Sequence, residues 1–161
     1  MSTRQKQIKL TINGNPYELS VKPKTLLIDL LNSGLGLTGA KRGCDCSSCG
    51  ACTVILNGKA AKSCSILAVQ ADGKEVITIE GLSDGAKLHP IQQAFVDNFA
   101  VQCGYCTPGM IMSAKALLDA NPDPSDDEIK RAIAGNLCRC TGYTKIFESI
   151  RVAAKNMGGK R

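Results

Sequence analysis

Residues 8–22, IKLTINGNPYELSVK, alternate apolar and polar on both sides of Asn13-Gly14. Ile8, Leu10 and Ile12 share one face of the first run, and Tyr17, Leu19 and Val21 share one face of the second. A period of two about Asn-Gly predicts a β-hairpin, because Asn and Gly accept the positive φ that a two-residue turn requires. The period then lengthens. Leu26, Leu27, Leu30 and Leu31 recur at helical spacing, with Thr25 ahead of them as a candidate N-cap and Gly34 near the stop. Residues 40–52 are rich in Gly, Ser and Cys and read as a loop. TVILNGKAAKSC, residues 53–64, predicts a second hairpin turning at Asn57-Gly58, which returns Cys64 towards that loop. EVITIE, residues 75–80, reads as another strand.

Past this point the pattern changes. GLSDGAKLHP, residues 81–90, reads as a linker, and no period-two run follows it. Residues 90–100 predict a helix with Ile91, Ala94, Phe95 and Phe99 turned inward. Thr107-Pro108 can serve as N-cap and first helical residue of a helix running to about Ala120, which NPDP ends. Ser125 with Glu128 forms a capping-box pattern for a helix to Ala134. Gly135 to Cys140 reads as a loop, and residues 144–156 as the last helix. The expected fold class is therefore α+β. An N-terminal β-grasp domain over residues 1–80 is followed by an all-α domain of four helices over residues 81–161. Domains of about 80 residues bury little core. The chain has no Trp and only 4% aromatics, so each half needs a further cross-link, which a bound metal supplies.

Eight of the nine cysteines supply one such cross-link to each half. Cys44, Cys49, Cys52 and Cys64 read C-x4-C-x2-C-x11-C, the plant-type [2Fe-2S] arrangement. Cys103, Cys106, Cys138 and Cys140 read C-x2-C-x31-C-x-C. Three thiolates within nine residues must converge on one small Fe2S2 core, and Gly43, Gly50 and Ala51 remove side-chain bulk there. A curled loop also aims N–H groups at sulfur, which offsets negative charge. Cys46 makes a competing C-x2-C with Cys49, and the plant-type spacing selects Cys44 in its place. In the second set Cys106 and Cys140 each precede a predicted helix, whose free N–H groups favour an anionic cluster. C-x-C with C-x2-C is unusual for structural zinc, which leaves a pair of zinc sites as the minor alternative.

Nine is odd, which argues against a pure disulfide framework. The start MSTRQKQIK carries no apolar secretory segment, and no apolar run approaches the about 18 residues of a membrane span, so a cytoplasmic protein with reduced thiols is expected. The formal charge of +6 counts the cysteines as neutral. Each loaded site carries about −2, so two sites bring the chain to about +2. Lys and Arg are scattered, the charges of Arg4–Lys9 and Lys155–Arg161 read as solvated tails, and no basic stripe interleaved with aromatics points to nucleic acid. His89, the only histidine, reads as a linker residue, because each four-cysteine set is already complete. Asp45 reads as a loop cap, Arg139 as a partial neutraliser or a partner-facing residue, and Met110 and Met112 as core. Two sites of this kind with no catalytic constellation imply one-electron transfer.

GCDCSSCGACTV (43–54), VQCGYCTPGMIM (101–112) and GNLCRCTGY (135–143) closely resemble the small iron–sulfur subunit of the molybdenum hydroxylases, the xanthine oxidase family. The likeness spans nearly the whole chain, with Cys46 as a departure from the family pattern. It implies a complex with a large molybdopterin subunit and a medium FAD subunit, as a dimer of heterotrimers. It implies that substrate is hydroxylated with water at molybdenum and that electrons pass through the helical-domain cluster, then the β-grasp cluster, then to FAD or an external carrier. By the same likeness, Cys103, Cys106, Cys138 and Cys140 hold the cluster nearest the pterin, Cys44, Cys49, Cys52 and Cys64 hold the one nearer the flavin, and Gln102 and Cys140 touch the pterin. Members of the family act on carbon monoxide, acyl-CoA thioesters, N-heterocycles, purines and aldehydes. A free-standing diffusible ferredoxin is the alternative reading of the cysteines alone.

Overall fold

The computed structural model describes residues 5–158. Arg4 and Gly159–Arg161, at the ends of the two expected charged tails, lie outside them. Asn13 and Gly14 take φ of +50° and +79° and fold β1 (Lys6–Ile12) back on β2 (Asn15–Val21), with Leu10 opposite Tyr17. Asn57 and Gly58 do the same for β3 (Thr53–Leu56) and β4 (Lys59–Lys62). β5 (Glu75–Ile77) joins the hairpins, parallel to β1 and antiparallel to β3, so the sheet order is β2-β1-β5-β3-β4. Only half of the expected strand 75–80 forms. Asn13 ends it from the hairpin turn: its side-chain oxygen accepts the Thr78 N–H at 2.8 Å and its amide donates to the Thr78 hydroxyl at 3.0 Å.

The expected helix after Thr25 is shorter and differently anchored. α1 (Leu27–Asp29) widens directly into a π-turn over Leu30–Gly34. Thr25 does not cap it. Its carbonyl instead accepts the Ala68 N–H at 2.7 Å, and Leu27 donates to the Ile66 carbonyl at 2.7 Å, so a backbone bridge holds the helix start. Ile8, Leu10, Ile12, Leu27, Leu31 and Val76 then close the sheet core.

The helical half follows the expected order as α2 (Pro90–Asp97), α3 (Thr107–Ala120), α4 (Asp126–Ile133) and α5 (Thr144–Asn156). Ser125 and Glu128 form the capping box, with the Ser125 N–H donating to the Glu128 carboxylate at 2.8 Å. At α3 the cap is Cys106, so Thr107 and Pro108 are already helical. His89 is more than linker: its Nδ1 accepts the Ile91 N–H at 3.2 Å and caps α2. Ile91, Phe95, Met110, Ile129, Ile146 and Ile150 form a second core, separate from the first.

Phe99 is the one expected inward residue that points out; it is 81% exposed. α2 stops at Asp97, and the chain reverses so that Phe99 N–H meets the Val96 carbonyl at 3.1 Å and Ala100 N–H meets the Phe95 carbonyl at 2.9 Å. That pair of bonds is a Schellman motif, in which the residue after the cap takes the left-handed conformation. Phe99 occupies that place at φ +55°, and the buried Ala100 continues the apolar face in its stead.

α3 lies across β3 and joins the halves. A Cβ on Gly109 would stand 2.1 Å from the Gly50 carbonyl oxygen, backbone that cannot yield. Gly109→Ala is expected to cost about 1–3 kcal/mol in thermal or denaturant unfolding of the loaded chain, the usual cost of overpacking. Burial, then the Lys115 charge, holds the His89 pKa below its ordinary 6.5. The folded state thus favours the neutral ring, and the stability it contributes is present above pH 6.5 and lost as pH falls through the lower folded value. His89→Asn keeps a capping side chain and is expected to melt with a shallower loss than wild type between pH 8 and pH 5.

Candidate metal centres

The first cysteine loop curls because Asp45, Ser47 and Gly50 adopt φ of +54°, +62° and +71°. The curl turns N–H groups on to sulfur. Cys46 and Cys49 N–H groups point at Cys44 Sγ from 3.5 and 3.4 Å. Arg42 holds the outside of the curl, pairing with Asp45 at 2.7 Å and also with Asp29. Asp45 therefore acts through this ion pair, beyond the loop-capping role expected of it. A Cβ on Gly43 would come 2.9 Å from Cys49 Sγ, so the missing side chain leaves the sulfur its room. Cys64 arrives at the end of the second hairpin, where the Ser63 hydroxyl donates to the Cys52 carbonyl at 2.8 Å.

The eight thiols meet in pairs. Cys44 and Cys49 perturb each other's acidity, Cys64 raises that of Cys52, and Cys49 and the two inner thiols oppose one another's ionisation by charge. In the helical half Cys106 pairs with Cys138 and Cys103 with Cys140. Among the described residues no three His, Cys, Asp or Glu converge tightly enough for a single metal ion. Two pairs facing one another suit a two-iron core, in which each iron takes two thiolates. Each quartet has a buried and an exposed side. Cys52 and Cys64 are buried against Ile28 and Leu26, whereas Cys44 and Cys49 are half-buried. Cys106 and Cys138 are half-buried, whereas Cys103, Cys140 and the neighbouring Gln102 are exposed.

These surroundings spread the acidities. N–H donation from Cys46 and then Cys49 lowers the Cys44 pKa to about 6, while burial pushes Cys52 up to about 11 and Cys106 up to about 12. Burial also opposes ionisation of Cys138, but the Thr141 hydroxyl, 3.1 Å from its sulfur, the Thr141 and Cys140 N–H groups and Cys106 together outweigh it and hold this thiol low. Cys106 also stands at the N-terminus of α3 as expected, but three residues separate Cys140 from α5, so no helix start lies directly on it. Cys46 is exposed, its Sγ 3.3 Å from the Ser48 hydroxyl.

The two quartets share a wall that sequence reasoning missed. Leu137, next to Cys138, donates its N–H to the Cys49 carbonyl at 2.8 Å. Buried Asn136 donates to the Gly50 carbonyl at 3.0 Å and accepts the Ser113 hydroxyl at 2.8 Å. Lys62 reaches the Gly135 carbonyl, and the Tyr105 hydroxyl, from between Cys103 and Cys106, donates to the Arg42 carbonyl at 2.7 Å. Asn136 and Tyr105 stand beside ligands in the sequence, which was the available signal. Their partners Gly50 and Arg42 lie more than sixty positions away and could not be read from it.

Residues 10–78 match the family described as 2Fe-2S iron-sulfur cluster binding domain, and residues 78–151 the family described as [2Fe-2S] binding domain. The nicotinate dehydrogenase small FeS subunit of Eubacterium barkeri is 52% identical over 92% of this chain and 94% of its own length. The chain is an iron–sulfur subunit of the molybdenum hydroxylase family. The crystal structure of quinoline 2-oxidoreductase from Pseudomonas putida 86 superposes on this subunit with a TM-score of 0.91 at 44% identity, covering 96% of this chain and 98% of the matched one. Aldehyde oxidoreductase from Desulfovibrio gigas gives the same TM-score at 43% identity over 94% of this chain, but there the match occupies 17% of a much longer polypeptide. The subunit thus has the α+β layout of two 2Fe-2S domains and is an electron-transferring component of an oxidoreductase complex. No helix among its described residues is long and apolar enough to cross a membrane.

In the iron-free subunit at pH 7, iodoacetamide is expected to modify Cys44 well before Cys52 and Cys106, because only the first is largely thiolate. Peptide mass spectrometry of timed samples reads the order, and Cys44 labelling is expected to slow below pH 6.

Proposed function

We propose that Cys103, Cys106, Cys138 and Cys140 hold the cluster that accepts electrons from the molybdopterin of a large subunit. In this reading Cys44, Cys49, Cys52 and Cys64 hold the cluster that passes them to FAD on a medium subunit or to an external carrier. Each bound cluster would supply one reversible oxidation state change; everything else is positioning by the chain. Cys44 with Cys49, and Cys52 with Cys64, would each serve one iron, as would Cys103 with Cys140 and Cys106 with Cys138. The paired thiols, the glycine cradle and the N–H groups aimed at sulfur support this ligand set.

The observation that carries the relay is the direct contact of the two cysteine loops, Cys49 C=O to Leu137 N–H at 2.8 Å. A short, rigid bridge between the quartets is what a relay of single electrons needs. The exposed Cys103–Cys140 pair, with Gln102 beside it, is the end open to the pterin, where Gln102 and Cys140 would form its hydrogen bonds. The division into a first domain to residue 80 and a second from residue 81, a dimer-of-heterotrimers assembly and a cytoplasmic setting complete the proposal. Reduced thiols, which cluster ligation requires, favour that compartment.

The test is purification of the tagged chain from its native cells, without added metal or chelator. About four irons per chain, with molybdenum and a large partner band, are expected. Cys138→Ser is expected to halve the iron, while Cys46→Ser leaves it unchanged. Zinc in place of iron, or iron loss in the Cys46 variant alone, would overturn the ligand assignment.

A further inference from the structure

Phe99 occupies a position that its own chain does not reward. It is the left-handed residue of the Schellman motif closing α2, where Gly is usual because any Cβ is strained there. A bulky aromatic in that conformation is an outlier. Its ring contributes nothing to the core to offset the strain, since it is 81% exposed while Phe95, four residues earlier, is 1% exposed. Strain without a local return clusters at functional sites.

The surroundings say which kind of site. Val96 and Val101 flank Phe99 and are 54% and 41% exposed, so three apolar side chains stand at the surface within six residues. Val101 reaches Gly104, its Cγ1 4.0 Å from where a Cβ there would stand, so the apolar strip runs into the loop between Cys103 and Cys106. It ends beside the exposed thiols Cys103 and Cys140 and the exposed Gln102. Asp97, which accepts a hydrogen bond from the Gln93 side chain at 2.7 Å, is the one charged residue between Val96 and Cys106.

We propose that Phe99, with Val96 and Val101, is the anchor by which this chain docks on the molybdenum-bearing subunit, its ring seated in an apolar pocket of that subunit. The inference rests on the function proposed above. The occupant is chosen by two observations: the strip borders the outermost thiol pair, and in the aldehyde oxidoreductase of Desulfovibrio gigas the counterpart of this chain is 17% of one polypeptide. What a continuous chain holds beside this module there, a separate chain must hold by contact. A rigid exposed aromatic is the residue type that dominates such contacts.

A sign reversal makes the proposal testable. Phe99→Gly removes strain and no core, so the iron-loaded chain is expected to melt higher than wild type. The same change is expected to weaken the complex about tenfold or more, the scale of a lost aromatic anchor. Tagged wild-type, Phe99→Gly and Phe99→Asp chains are purified from native cells, diluted in steps and passed through gel filtration. Molybdenum per four irons is read at each step, and thermal unfolding is read on the loaded chain. Loss of molybdenum at higher concentration in both variants, with a higher melting temperature for Phe99→Gly, establishes the anchor. Wild-type retention of molybdenum in both variants, or a lower melting temperature for Phe99→Gly, overturns the anchor and leaves the electron-transfer reading standing. Wild-type chain that carries iron but never molybdenum overturns both. A wild-type dimer of this chain that Phe99→Gly turns monomeric assigns the strip to a second copy and overturns the partner proposed here.

Discussion

The buried side chain of Asn136 is the interaction on which the arrangement depends. It gives its amide hydrogens to the Gly50 carbonyl and the Thr53 hydroxyl and takes one from Ser113, so one residue ties the first cysteine loop, the sheet and α3 together. Every one of these groups is buried, and a buried polar group left without its partner costs about 1–3 kcal/mol. The register between the halves is therefore specified by direction as well as by fit. Gly50 and Gly109 make the approach possible, since neither has room for a methyl group. The two apolar cores remain distinct on either side. The join between them is α3 laid across β3, fastened at Asn136 to the loop that carries Cys49 and Cys52.

Each quartet is also asymmetric. A loop folded on to a packed core has one covered side and one open side. In the first quartet the covered side is apolar, with Cys52 and Cys64 among Ile28 and Leu26. Its open side is lined with N–H donors and braced by Arg42. Desolvation disfavours negative charge on the first side and hydrogen bonding favours it on the second. In the helical quartet the contrast falls within one pair, with Cys106 held back by burial and Cys138 eased by Thr141. Each site thus sets a thiol held neutral by burial beside one whose thiolate is favoured by hydrogen bonds.

Most of this was legible along the chain, and the misses are of two kinds. Both hairpins follow from Asn-Gly turns, the α4 capping box from Ser125 and Glu128, and the helical order from local spacing. Interactions spanning a few residues leave a periodic or pairwise trace. Two errors arose where a distant segment intervened: Thr25 lost its capping role to a backbone bridge with Ala68, and β5 was cut short by Asn13. Phe99 left the helix that its spacing assigned to it through a local Schellman motif, which periodicity does not register. At the candidate sites the cysteine spacing identified the thiols, while the wall between them, Asn136 to Gly50 and Tyr105 to Arg42, joins positions too far apart to show any pattern.

Cys52 and Cys64 also belong to the hydrophobic interior, at 2% and 6% exposure. A cluster held by them, as proposed, would be as much a piece of the core as any isoleucine. Loading the site and closing the first domain would then be one event seen from two sides.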